Sequence, residues 1–159
     1  MSSTIFIDAN IFIYYVTEHP RFANLCEKFI LDVEKRKIIG VTSIFVLNEV
    51  LHKMMVLEVC KKYNRSIRHA TRYLKENPEV IFTLNKSKSN IEKIKNIRGL
   101  QIVEVPSQLF NRAVELSWEY GLLTNDAIHV ATMEKYGIRN IATFDKDFER
   151  IGFLKVWKS

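Results

Sequence analysis

The sequence predicts an α/β protein, a three-layer α/β/α sandwich around a twisted, mainly parallel central sheet. Two observations predict it. Short apolar runs rich in β-branched residues alternate with longer stretches whose apolar residues recur every three or four positions. No tight-hairpin dipeptide such as Asn-Gly occurs anywhere, so consecutive strands must be joined through helices and run parallel.

The elements follow in order. Residues 4–7 (Thr-Ile-Phe-Ile) are β-branched or aromatic throughout and read as a buried strand that ends at Asp8. Asn10 opens a helix, and Pro20 starts another that carries Phe22, Leu25, Phe29 and Val33. Gly40 and Val41 mark a second strand. Thr42 or Ser43 caps a third helix, with Phe45, Leu47, Val50 and Leu51, that runs to about Val59. Residues 64–97 form two more helices: the first has an apolar stripe of Ile67, Ala70, Thr71 and Leu74, and Pro78 stands near the start of the second. Residues 100–105 are a strand stopped by Pro106. The helix after it ends at Tyr120, with Gly121 where a left-handed C-cap favours glycine. Thr124 or Asn125 caps the next helix, which Gly137 ends. Residues 140–143 are a strand, and residues 154–157 a last one. With no internal repeat or low-complexity segment, the chain reads as one domain over residues 1–159, with a basic helical segment at about 61–98.

Composition excludes several classes. At 159 residues, 47% apolar and 26% charged, the chain is neither a disordered tail nor a disulfide mini-protein. No apolar run approaches the roughly 20 residues of a membrane span. The start, Met1-Ser2-Ser3-Thr4, lacks a basic leader region, so a soluble, cytoplasmic protein is expected. Cys26 and Cys60 lie alone in helical patterns and read as buried reduced thiols. The net charge is +6, but residues 61–98 carry eleven Lys/Arg against three Glu, which leaves the remainder mildly acidic. A basic module on an acidic remainder suits a polyanion-binding protein, and equally a well-solvated pair of helices.

The aspartates carry the chemistry. There are five, Asp8, Asp32, Asp126, Asp145 and Asp147, and all but Asp32 follow a strand or open a helix beside one. Aspartate caps turns and helices, which accounts for any one of them singly. Together they point further, because the carboxyl ends of parallel strands converge on one crevice where ligands bind. Glu49 lies within the apolar stretch Phe45-Val46-Leu47-Asn48-Glu49-Val50-Leu51, and either has a partner there or belongs to the helix's polar stripe. Carboxylates brought together need cations between them, and oxygen ligands without a cysteine or histidine cluster select Mg²⁺ or Mn²⁺. Such ions activate water and clamp a scissile phosphate.

The residues resemble the PIN-domain ribonucleases, and the compact chain is most similar to the VapC-type toxins of toxin–antitoxin pairs. Four segments match in order: Ile5-Phe6-Ile7-Asp8-Ala9-Asn10, Thr42-Ser43 leading to Asn48-Glu49, Thr124-Asn125-Asp126-Ala127-Ile128-His129-Val130-Ala131, and Ile141-Ala142-Thr143-Phe144-Asp145-Lys146-Asp147-Phe148. The resemblance implies a PIN-like twisted parallel sheet, an acidic pocket and Mg²⁺- or Mn²⁺-dependent cleavage of RNA. It implies a small antitoxin and a second copy of the chain as possible partners. Asp8, Glu49, Asp126 and Asp145 take the family's four acidic positions as catalytic metal ligands. Asn10 and Thr143 match its supporting polar residues, and Asp147 is the second candidate for the last acidic place. The segment at about 61–98 carries no family motif.

Within that segment Lys61, Arg65, Arg68, Arg72 and Lys75 are spaced to share one helical face, with nothing nearby in the sequence to neutralise them. The face either tracks the RNA backbone, receives an acidic antitoxin segment or is simply solvated. The alternatives for the whole chain are a PIN-like RNA- or protein-binding module without activity, and a housekeeping RNA-processing nuclease. His129, three residues after Asp126, reads as structural, and Tyr14 and Tyr15 as core.

Overall fold

The computed structural model describes residues 2–157; residue 1 and residues 158–159, the ends of the expected domain, lie outside the described residues. Five strands, β1 (Ser3–Ile7), β2 (Ile38–Ser43), β3 (Gln101–Val103), β4 (Asn140–Ala142) and β5 (Lys155–Val156), form one sheet in the order β3-β2-β1-β4-β5. Every pairing is parallel, as the absence of hairpin signals predicts. Phe6 and Ile7 point to opposite faces of β1 and both are fully buried, so each face of the central strand is covered.

The covering helices are α1 (Ala9–Val16), α2 (Ala23–Glu34), α3 (Ile44–Tyr63), α4 (Ile67–Glu76), α5 (Asn85–Lys95), α6 (Leu109–Tyr120) and α7 (Thr124–Lys135). Their apolar faces meet the sheet in one main core that includes Phe12, Phe29, Ile30, Val46, Val50, Leu116, Val130 and Ile141. Gly40 lets α2 approach β2 closely, since a Cβ there would stand 2.8 Å from Val33 Cγ1. Gly121, at φ 64, closes α6 as the sequence predicts. Cys26 is buried and Cys60 half-buried, and both thiols are free.

Several boundaries differ from the sequence reading, each for a local reason. Pro20 lies in a turn rather than at a helix start. Phe22 N and Ala23 N both close back on His19 O, and α2 begins only at Ala23. Ser43, not Thr42, caps α3 by accepting from Val46 N at 3.2 Å, while the Thr42 hydroxyl bonds Ile7 O across the sheet. The N-cap of α7 is Leu123, so Thr124 and Asn125 already lie inside the helix. Pro78 begins a 3-10 turn (Pro78–Thr83), and the α-helix resumes at Asn85. There Glu58 of α3 holds the new helix start, accepting from Ser87 N at 2.7 Å and Ser87 Oγ at 2.6 Å.

The proposed basic face does not exist as one helical face. α3 runs on to Tyr63 and stops where Asn64 turns left-handed at φ 50, a conformation asparagine tolerates. Lys61 is therefore on α3, Arg65 is in the junction, and only Arg68, Arg72 and Lys75 belong to α4. Nor are the charges all uncompensated: Arg72 pairs with Glu76 at 2.7 Å, and the Arg65 guanidinium lies 4.6 Å from the Tyr73 ring centre. Ala70 and Leu74 are buried as the stripe requires, whereas Ile67 is 67% exposed. With Val56, Val59, Val80 and Leu84 they form a second, smaller apolar cluster on the far half of α3. At 1.5 Å per residue, α3 sets Lys61 about 18 Å along its axis from Glu49. α3 thus joins the sheet to an outlying basic lobe.

Candidate active site

The acidic residues gather where strand order reverses. From β1 the chain builds outward to β2 and β3, then returns to place β4 on the other side of β1, which opens a crevice at the carboxyl ends of β1 and β4. Asp8 is the first residue after β1 and also the N-cap of α1, and it is buried. Ile7 is in register with Ala142, so the residues that follow the two strands, Asp8 and Thr143, meet. Asp8 Oδ1 accepts from Ala9 N at 2.7 Å, and Oδ2 accepts from Thr143 Oγ1 at 2.6 Å and from Asn10 Nδ2 at 3.1 Å. Asn10 also donates to Thr143 Oγ1 and accepts from Phe144 N, while Thr143 Oγ1 accepts from Asp145 N at 3.0 Å. Asn10 and Thr143 thereby lock the end of β1 to the loop after β4.

The other acidic side chains fall into two halves. In one, Asp8, Glu49 and His129 bring possible ligand atoms within 4.8 Å of one another. Glu49 enters from the first half of α3, whose start is set by the Ser43 cap. Its Oε2 accepts from His129 Nε2 at 3.3 Å, and its Oε1 from Lys53 Nζ at 2.6 Å. Glu49 therefore has partners and is not a member of a solvated stripe. In the other half, Asp126 at the start of α7 comes within the same distance of Asp145 and Asp147. Asp145, not Asp147, is the capping residue here: its Oδ1 accepts from Asp147 N at 2.8 Å at the head of the 3-10 turn Lys146–Arg150. Asp147 instead pairs with Arg150 at 2.8 Å and is the more exposed of the two.

Sequence reasoning missed two participants. His129 is fully buried, yet it bonds Glu49 and faces Asp8, and its Nδ1 has no partner among the described residues. Its position three residues after Asp126 was the signal, because that spacing keeps both on one side of α7. Lys53 was legible as the i,i+4 neighbour of Glu49 on a helix. Tyr14 is only half-buried, and stacks with Phe22 at 5.5 Å and meets Phe144 at 5.3 Å beside the crevice.

Electrostatics distinguishes the carboxylates. Burial raises the Asp8 pKa, and the Glu49 charge adds to it, despite the bonds from Thr143 and Ala9 and the opposing influence of His129. Burial pushes Asp126 up to about 6, with the charges of Asp8, Asp145 and Glu49 reinforcing the rise against His129. Glu49 goes the other way: the His129 hydrogen bond, together with the bond and charge of Lys53, hold it down to about 2 against burial. The donors are carboxylate oxygens and one imidazole, with no thiolate among them; Cys26 is elsewhere in the core, its thiol raised to about 11 by burial. That set fits a hard divalent cation, and the repulsion around Asp126 is the stress a cation would relieve.

Asp126 makes stability pH-dependent in a definite direction. Its folded pKa lies above the ordinary 3.8, so between about pH 4 and pH 6 the folded state holds the proton more tightly and stability falls as pH rises. In EDTA, Asp126→Asn is expected to be more stable than the parent above about pH 6, on the order of 2 kcal/mol after allowance for partial exposure. The two should converge below about pH 4. Urea denaturation across this range measures it, and equal stabilities at neutral pH would refute the assignment.

Comparison with known proteins bears on the family and the fold. The PIN-domain family model matches residues 5–154. Ribonuclease VapC2 of Methanocaldococcus jannaschii is 30% identical over 154 residues, which cover 96% of this chain and 91% of that protein. Among solved structures, the sarcin-ricin-loop-cleaving toxin VapC20 of Mycobacterium tuberculosis superposes with a TM-score of 0.63 at 20% identity, covering 97% of this chain and 99% of that one. VapBC2 of Rickettsia felis bound to promoter DNA gives 0.61 at 15% identity, covering 97% of each chain. The structural likenesses show the fold; the family model and the sequence relative show that the chain belongs to the PIN-domain family.

Proposed function

We propose that the protein is an endoribonuclease that hydrolyses RNA phosphodiester bonds with Mg²⁺ or Mn²⁺, acting as the toxin of a toxin–antitoxin pair. The convergence of Asp8, Glu49, Asp126 and Asp145 on one crevice in a PIN-domain chain carries this reading. A binding module without chemistry has no use for a carboxylate that burial, reinforced by neighbours of the same charge, holds above its ordinary pKa. The VapC kinship supports a small antitoxin protein as the partner.

Asp8, Glu49, Asp126 and Asp145 are the residues that would hold the ion, which when bound would polarise the scissile phosphate and favour ionisation of the attacking water. Thr143 and Asn10 fix the Asp8 carboxylate in one orientation and keep its oxygens aimed into the crevice. Asp145 is itself anchored, through its backbone N–H on Thr143 and its Oδ1 on Asp147 N, so its second oxygen remains for the crevice. Asp147, engaged by Arg150, stays outside this set. An acidic crevice does not attract a polyanion by itself, and the basic lobe supplies the missing attraction. Lys61, Arg68 and Lys75, which enter no ion pair among the described residues, are the members of the basic group that we assign to RNA phosphates.

Two experiments test the reading. Purified protein should cleave single-stranded RNA in Mg²⁺ or Mn²⁺ and stop in EDTA. Asp8→Asn and Asp126→Asn should each lose more than the roughly 10–100-fold that removal of an outer partner costs. Asp145→Asn should lose far more activity than Asp147→Asn. Full activity in Asp8→Asn, or the reverse ranking of the last pair, would overturn the assignment. In EDTA, Lys61→Gln/Arg68→Gln/Lys75→Gln should weaken RNA binding and flatten its salt dependence by a slope of about 2, roughly 0.7 per charge. An unchanged slope would remove RNA binding from the basic lobe.

A further inference from the structure

Singly exposed apolar side chains are ordinary on a folded protein. Phe82 differs, because its ring is 86% exposed while the backbone beneath it is fixed. It lies in the 3-10 turn Pro78–Thr83, and the residues two positions away on either side, Val80 and Leu84, are buried in the smaller apolar cluster. Thr83 ties the turn to the end of α3. Its hydroxyl donates to Val80 O at 2.8 Å and meets Tyr63 Oη at 3.1 Å, and its carbonyl accepts from Lys62 Nζ at 3.1 Å. A ring presented outward from an anchored turn loses little freedom when a flat partner lies on it.

The surroundings of the ring are cationic. The Lys62 ammonium, at the carbonyl next to Phe82, enters no ion pair among the described residues and spends only one of its three N–H groups on Thr83. Lys86 and Lys88, exposed in the first turn of α5, enter no ion pair among the described residues either. Of the carboxylates nearby in the lobe, Glu58, Glu76 and Glu92 are engaged by Ser87, Arg72 and Lys95, which leaves Glu79. An apolar protein partner gains nothing from unpaired lysines around the ring. A flat, uncharged base joined to phosphates uses both features.

We propose that Phe82 is a stacking platform for one unpaired base of a single-stranded RNA, with Lys62 and Lys86 meeting the adjoining phosphates. The role rests on the RNA reading given above and adds to it a preference for unpaired strand, since a duplex keeps its base faces in its own stack. Tyr63, which holds the turn, is 14 residues beyond Glu49 on α3, about 21 Å along the axis. The platform is therefore a remote anchor for the strand and takes no part in the cleavage step.

The experiment is fluorescence anisotropy of the full chain in EDTA with oligouridylate, an abasic strand of equal length and a duplex RNA. Phe82→Ala removes an exposed ring, so its thermal unfolding should match that of the parent. It should bind oligouridylate about tenfold more weakly, the order of one lost base–aromatic stack, and Phe82→Trp should restore the affinity. The abasic strand and the duplex should be bound equally by the parent and Phe82→Ala. The salt slope should stay constant in Phe82→Ala and flatten by about 0.7 in Lys62→Gln. Unchanged affinity of Phe82→Ala for oligouridylate, or an equal loss on the abasic strand, overturns the proposal. Unchanged RNA affinity with a dimer lost in sedimentation overturns it too, and gives the ring to a second copy of the chain. A parent that fails to cleave RNA in Mn²⁺ while binding still depends on Phe82 would instead count against the nuclease reading alone.

Discussion

The arrangement of the acidic crevice follows from one constraint: carboxylates from separate elements confront each other where little water reaches them. Two unit charges 4 Å apart at an effective dielectric of about 20 interact by roughly 4 kcal/mol, more than the 1.5–3 kcal/mol typical of a hydrogen bond to a charged group. At Asp8 neither of these decides the balance; burial does. Three donors serve its two oxygens, yet burial still raises its pKa. The neighbourhood is thus strained by design of the fold, and the strain can be released by a proton, by a fixed cation or by a bound one.

The fold applies a different remedy on each side. The Glu49 side is compensated from within, by His129 on one oxygen and Lys53 on the other, and Glu49 is the one member of the group held well below the usual carboxylate range. On the other side Asp126 has no ion-pair partner among the described residues, and burial, only partly opposed by His129, lifts its pKa to about 6. The main core makes this possible: Phe6 and Ile7 pin β1 on both faces, and the Asn10–Thr143 bonds tie its end to the loop after β4. A rigid scaffold can hold charges in an unfavourable relation that a mobile loop would relax. The basic lobe is built separately on the far half of α3, with its own apolar cluster.

Much of this was legible in the sequence because it is local. The β-branched run before Asp8, the Ser43 cap, Gly121 and the strand before Thr143 all act through neighbours a few residues away, and all four stand where the pattern puts them. The misreadings have a common physical origin. Spacing shows which residues share a helix only while the helix continues, and the left-handed Asn64 ended α3 inside the supposed basic face. Pro78 satisfied the composition of a helix start, but the chain took a 3-10 turn and deferred the helix to Asn85. Asp145 and Asp147 were equivalent by spacing, and only the hydrogen bond to Asp147 N and the Arg150 pair separate them. Glu49 and His129 are eighty positions apart, so no periodicity could join them. Lys53 was visible as the i,i+4 partner of Glu49 and pairs with it as that spacing predicts.

The central claim is that the fold maintains carboxylate repulsion which a divalent cation relieves. It is tested most directly by the thermal unfolding of the RNA-free protein against Mn²⁺ concentration. An ion that binds only the folded state stabilises by about 2.7 kcal/mol at a hundredfold excess over its dissociation constant, so the parent Tm should climb continuously with added Mn²⁺. In Asp126→Asn, where the repulsion is already reduced and a ligand is lost, most of that climb should disappear. A parent Tm indifferent to Mn²⁺, or an equal climb in Asp126→Asn, would contradict the account.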